Sequence, residues 1–150
     1  MAHELFAKLR ILIIEDDRDD VIILQELLVV LNIPNEMTCF RTGEEAVEYL
    51  EGRTAIEGTA RQVLPDIIFL DLRLPGEDGL AILKKFRRHH GLRAIPVIVM
   101  SASSEPEDLM ESYRSGGTFF MPKGADRAVL AEIIRQSKIL SGMERIEENY

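Results

Sequence analysis

Three carboxylates, a hydroxyl and an ammonium stand at chemically suggestive places in this chain. Glu15-Asp16-Asp17 follows the apolar run Arg10-Ile11-Leu12-Ile13-Ile14. Asp71 ends the run Ile67-Ile68-Phe69-Leu70, Ser101 ends Pro96-Val97-Ile98-Val99-Met100, and Lys123 follows Thr118-Phe119-Phe120-Met121-Pro122. Glu15, Asp16 and Asp71 cannot sit close together fully ionised without a compensating cation, because like charges disfavour joint ionisation. Carboxylates with water are the ligand set that Mg2+ accepts, so these three residues are candidate ligands for Mg2+ or Mn2+. A cation-masked carboxylate can act as a nucleophile toward phosphorus and form an aspartyl phosphate. Such transfer is mostly positioning and charge stabilisation, for which Lys123 suits as a point charge and Ser101 as a donor. Taken singly, each residue has a plainer reading. A lone Asp at a strand end is a turn former or helix cap, and a lone Ser or Lys belongs to the surface. Their joint placement after successive apolar runs argues for a site centred on Asp71.

The elements that would position them follow from the apolar pattern. The runs are short, rich in β-branched residues and bounded by turn residues, as in strands buried on both faces of a parallel sheet. Glu36–Phe40 reads as a weaker strand. Between the strands lie helical segments. Val21–Leu31 is introduced by Asp17 as cap, with Asp20 complementing the helix dipole. Thr42-Gly43-Glu44-Glu45 has capping-box form, and Ala46, Val47 and Leu50 then face inward until Gly52 stops the helix. Leu80, Ile82, Leu83 and Phe86 repeat at helical spacing to near Gly91. Ser104-Glu105-Pro106-Glu107 opens a helix that runs to Ser115-Gly116. Val129, Leu130, Ile133 and Ile134 form one stripe of a last helix capped by Asp126. Residues 53–64 read as a long surface loop or a short helical excursion. Strand and helix alternate five times, which predicts a doubly wound α/β fold with a parallel five-stranded sheet. In such sheets ligands bind at the carboxyl ends of the strands, and all the residues singled out lie there.

Composition narrows the partners. The chain has 150 residues, the length of one domain, with 46% hydrophobic and 29% charged residues, as in an ordinary soluble globule. We expect a single domain over 1–150, with a core at about 9–140 and a polar tail at 141–150. One cysteine, Cys39, rules out an internal disulfide and fits a reducing compartment. There is no apolar leader and no run of membrane-spanning length, so the expected location is cytoplasmic, with no membrane contact. With 26 Asp+Glu against 18 Lys+Arg, the net charge is −8, which disfavours direct contact with nucleic acid. The basic cluster Lys84, Lys85, Arg87, Arg88, His89 and His90 reads as the solvated face and end of a helix.

The motifs carry a family resemblance. Glu15-Asp16, Asp71-x-x-x-Pro75-x-x-x-Gly79, Ser101-Ala102 and Lys123 are similar to the signature of response-regulator receiver domains of two-component signalling, over about Leu9 to Leu140. The resemblance implies a flavodoxin-like (βα)5 fold of strand order 2-1-3-4-5. It implies that Asp71 accepts a phosphoryl group from a histidine kinase, and that Glu15, Asp16, Asp71 and the backbone carbonyl of Arg73 hold the metal. It further implies that Ser101 and Lys123 contact the phosphoryl group and that Ser101 and Phe120 form the switch. The 53–64 loop and the Glu107–Tyr113 segment are similar to small single-domain regulators paired with phytochrome-type histidine kinases. The chain departs from the family pattern at three positions. Gly124 follows the lysine where proline is common, which predicts a trans Lys123–Gly124 bond, because a cis bond before a non-proline costs about 2.5–4 kcal/mol. Ser101 stands for a commoner Thr, and Glu15 for a commoner Asp.

The implied function is a phosphorylation-controlled switch with a protein-contact output and no DNA-binding domain. It would not be an enzyme beyond catalysing its own phosphoryl transfer and hydrolysis. A homodimer is compatible with this reading. The alternative is an unphosphorylated pseudo-receiver acting as an interaction module, although both the acid pair and the acceptor are present. An Asp-nucleophile phosphatase would need D-x-D, and Arg73 occupies the acid position. A flavin fold would need a hydroxyl- and glycine-rich phosphate loop where Glu15-Asp16-Asp17 stands.

Overall fold

The computed structural model describes residues 8–54, 64–74, 76–103 and 105–141. The readings made for Pro75, Ser104, the 55–63 part of the loop and the tail beyond Ser141 fall outside those residues. Five strands and five helices alternate: β1 (Leu9–Ile14), α1 (Arg18–Val30), β2 (Asn35–Phe40), α2 (Gly43–Thr54), β3 (Ile67–Asp71), α3 (Gly79–Arg88), β4 (Val97–Ser101), α4 (Pro106–Arg114), β5 (Phe119–Pro122) and α5 (Arg127–Ser141). The five pair in parallel in the order 2-1-3-4-5, as expected. A two-residue antiparallel ladder, Arg73–Leu74 with Glu77–Asp78, folds the segment after β3 back before α3 begins.

The unbroken apolar runs are explained by two cores. Ile11, Ile13, Ile67, Phe69 and Ile98 pack with Leu24 and Leu28 of α1 and Leu130 and Ile134 of α5. Leu12, Ile14, Ile68, Leu70, Val97 and Val99 pack on the other face with Ala46 and Leu50 of α2 and Ile82, Leu83 and Phe86 of α3. Alternate residues of the central strands are therefore buried on opposite faces, so no polar alternation can appear. Local capping also forms. Asp17 accepts from the Asp19 amide at 2.9 Å, Thr42 from Glu45 at 3.1 Å, and Asp126 from Val129 at 3.1 Å. Pro122 is tolerated because β5 is an edge strand.

Four local readings are corrected. Helix α2 passes through Gly52 to Thr54; a glycine costs a helix only about 1 kcal/mol, and buried Ala46 and Leu50 anchor the segment. Helix α3 closes at Arg88, because His89 takes an extended conformation and its carbonyl accepts from Leu92 and Arg93 in a following turn. Val129 is 41% exposed, since it lies beside the Leu130, Ile133 and Ile134 stripe and not on it. Arg87 is no solvated helix-end cation. Its guanidinium donates to the carbonyls of Gly116 (2.7 Å), Arg93 (2.9 Å) and Ile95 (2.8 Å) and to Thr118 Oγ1 (3.2 Å). It thereby joins the end of α3 to the turns that lead into β4 and β5.

Candidate functional site

The parallel sheet brings the singled-out residues to one edge. Glu15 and Asp16 follow β1, Asp71 ends β3, Ser101 ends β4 and Lys123 follows β5. Glu15, Asp16 and Asp71 each offer a carboxylate oxygen, and these oxygens lie within 4.8 Å of one another. Asp71 is 3% exposed. Its Oδ1 accepts from the Arg73 amide at 2.9 Å and its Oδ2 from Lys123 Nζ at 3.1 Å. The backbone after the strand is thus drawn around the carboxylate. Gly79 closes that loop, where a Cβ would come within 2.7 Å of the Leu72 backbone.

Glu15 is buried, and its Oε2 accepts a long bond, 3.4 Å, from the Asp17 amide. Its Oε1 forms an ion pair with Lys123 Nζ at 2.7 Å, without the alignment of a hydrogen bond. Burial is the main cause that pushes the Glu15 carboxyl up to about 8, and the neighbouring Asp71 carboxylate adds to it against the pull of Lys123. A cavity of about 520 Å3 between α1 and β2 is lined in part by Glu15 and Asp16. Burial works against the Lys123 ammonium, but its contacts with Asp20, Glu15 and Asp71 outweigh that and raise its pKa above the ordinary lysine value. The donor set fits a hard divalent cation. It consists of oxygen ligands, carries several negative charges and includes a buried Glu15 Oε1 that accepts no aligned hydrogen bond.

The other two residues sit less directly. Ser101 is buried at the edge, but its Oγ accepts from the Ser103 amide at 3.1 Å and its carbonyl accepts from the Lys123 amide at 2.8 Å. Phe120 is half-buried, in register with Val99, and packs against the core of the α2–α3 face. The Lys123–Gly124 bond is trans, as expected, and Gly124 takes φ +85°. Sequence reasoning missed Asp20. Its Oδ2 accepts from Lys123 Nζ at 2.7 Å across 103 residues of chain. The only local signal was its place in the first turn of α1, which pointed to the helix dipole instead.

The comparisons agree with this arrangement. A family model for the response regulator receiver domain matches residues 11–135. Response regulator Rcp1 of Synechocystis sp. is 30% identical over 125 residues, covering 83% of this chain and 83% of that protein. The crystal structure of the phosphorylated cyanobacterial phytochrome response regulator RcpA superposes with a TM-score of 0.67 at 32% identity, covering 92% of each chain. The Mn2+-bound form of Rcp1 superposes with a TM-score of 0.65 at 28% identity, covering 90% of this chain and 91% of that one. With the strand order, the carboxylates gathered at one sheet edge and a family match across most of its length, this chain belongs to the response regulator receiver domain family.

Proposed function

We propose that this protein is a two-component response regulator in which Asp71 accepts a phosphoryl group from the phosphohistidine of a sensor kinase. The observation that carries the reading is the Lys123 ammonium, hydrogen-bonded to Asp71 Oδ2 beside the Glu15–Asp16–Asp71 oxygens. An Asp71 carboxylate oxygen attacks phosphorus as the phosphorus–nitrogen bond breaks, and the imidazole leaves with that electron pair and takes up a proton. Glu15, Asp16, Asp71 and the Arg73 carbonyl would hold Mg2+ or Mn2+, which when bound supplies positive charge against the carboxylates and the incoming phosphoryl oxygens. Lys123 steadies one phosphoryl oxygen, and Ser101, released from Ser103, donates to another. Phe120 turns inward as Ser101 moves.

The outcome is a changed protein-contact surface, not turnover of a separate substrate. The proposed site of output is α4 and α5, where Met110, Tyr113, Val129 and Leu140 all stand at least 41% exposed, as Ile22, Ile23, Val29 and Val30 also do on α1. A target protein or a second copy of the chain would dock there. Among the described residues no helix is long and apolar enough to cross a membrane. The likeness to RcpA, a phytochrome response regulator, supports a phytochrome-type kinase as donor.

The test is incubation with acetyl phosphate and Mg2+ followed by intact-mass measurement. A gain of one phosphoryl group that disappears in Asp71→Asn and on removal of Mg2+ is expected. Absence of labelling from acetyl phosphate and from a phytochrome-type kinase would overturn the reading in favour of an interaction module.

A further inference from the structure

We infer that Asp20 is a positioning residue for phosphoryl acceptance, holding the Lys123 ammonium beside Asp71. This rests on Asp71 being the acceptor. A lysine side chain is long and flexible, so something must aim it. The loop after Lys123 does not, because Gly124 sits at φ +85° and a Cβ placed there would meet nothing within 4 Å. Glu15 Oε1 also pairs with the ammonium at 2.7 Å, but it belongs to the clustered carboxylates that would hold the cation, whereas Asp20 lies outside that cluster and is free to stay on the lysine. Asp20 makes the shorter of the two hydrogen bonds from Nζ, 2.7 Å against 3.1 Å to Asp71. It also stands on a rigid support, the first turn of α1, a helix tied to the core through Val21, Leu24 and Leu28.

The ammonium is therefore shared between a fixed anchor and the acceptor. It has three N–H groups. It can turn one toward a phosphoryl oxygen arriving on Asp71 while another stays on Asp20. The anchor spares the transfer step the entropy of ordering a free lysine. An opposed effect is built into the same contact, since the Asp20 charge also repels the phosphoryl oxygens and competes for the ammonium. The amide variant separates the two, because Asp20→Asn keeps an oxygen that accepts from Lys123 and loses the charge.

The experiment measures the labelling rate of Asp71 by acetyl phosphate in saturating Mg2+. In this reaction the carboxylate oxygen attacks phosphorus, the bond to the acetyl oxygen breaks, and acetate leaves with the electron pair. Expected from loss of aim is a fall in the saturating rate of about tenfold in Asp20→Ala and of at most about threefold in Asp20→Asn, with the half-saturating acetyl phosphate concentration unchanged. In a Lys123→Ala background the Asp20→Ala change should have no further effect, because Asp20 acts only through the lysine. Thermal melting of each variant reports folding separately. An Asp20→Ala protein that labels at the wild-type rate or faster overturns the inference, as does an equal loss with and without Lys123. A wild-type protein that is never labelled overturns the acceptor reading itself, and this inference with it.

Discussion

Gly79 shows how closely the loop after Asp71 is built. A Cβ at this position would lie 2.7 Å from both the Leu72 Cα and the Leu72 carbonyl oxygen, and 2.9 Å from the Asp71 carbonyl oxygen. These are backbone atoms at the strand end that carries Asp71, so they cannot yield as a flexible side-chain tip would. We therefore expect Gly79→Ala to lose about 1–3 kcal/mol of stability through overpacking, measured by urea denaturation. The adjustment must displace the chain between Asp71 and α3, so the same variant should bind Mg2+ more weakly. Wild-type stability and affinity would show that the loop has slack the geometry denies. The role of glycine at this point is space, whereas at Gly124 it is a left-handed backbone with open surroundings.

The coupling between elements runs through side chains that sequence patterning treats as surface. Arg87 stands at the end of α3, yet it bonds the turn before β4 and the turn before β5 together. Burial lowers its pKa, and no carboxylate partner accompanies it among the described contacts. The Thr118 hydroxyl it donates to also accepts from the Val97 amide at 3.0 Å, so one cation organises the starts of two adjacent strands. Gly116 is shaped to it, since a Cβ there would run into Arg87 Cγ. We expect Arg87→Met to cost about 2–3 kcal/mol, the worth of hydrogen bonds to a charged donor, read by chemical denaturation. Arg87→Lys should restore little of it, because a point charge cannot span the same fork of acceptors. Helix α4 contrasts with this bracing. Ser112 is the only residue buried along it, and its Met110 and Tyr113 face solvent. Few buried contacts mean a low cost of local displacement, which suits an element expected to respond to the switch.

For the molecule as a whole, the site links pH, metal and stability. Glu15 titrates near 8 in the metal-free fold, against an ordinary value of 4.5. Between those values the folded chain holds a proton that the unfolded chain has lost, so this group's contribution to stability falls as pH rises. A divalent cation needs the ionised carboxylate, so its binding strengthens over the same window, and stabilisation by mass action grows with it. The expected outcome is a metal-free Tm that declines from about pH 5 to about pH 8 and an Mg2+-induced rise in Tm that increases over that range. In Glu15→Gln both trends should flatten, with a smaller metal effect throughout. A Tm increment from Mg2+ that is independent of pH in the wild-type protein would show that Glu15 does not surrender a proton to the cation.

The sheet, its order of elements and most of the edge site could be read from the chain because they rest on near-neighbour properties. Apolar runs such as Ile67–Leu70 are unbroken because their residues are covered on both faces. Asp17, Thr42 and Asp126 cap helices within two or three residues of themselves. Parallel strands bring Glu15, Asp16, Asp71, Ser101 and Lys123 to a common edge whatever the details of packing. Where the reading failed, competing contacts outweighed a local preference. Core burial of Ala46 and Leu50 carried α2 through Gly52, and one residue of helical phase put Val129 on the surface. Asp20 and Arg87 were beyond local reading altogether. One contacts Lys123 from 103 residues away and the other contacts Gly116 and Thr118 from 29 and 31 residues away. In the chain they are an acid near a helix start and a cation near a helix end, each where the dipole favours it. Folding added a second use to each, because only the packed layers decide which charged side chain comes within reach of the lysine or of the open carbonyls.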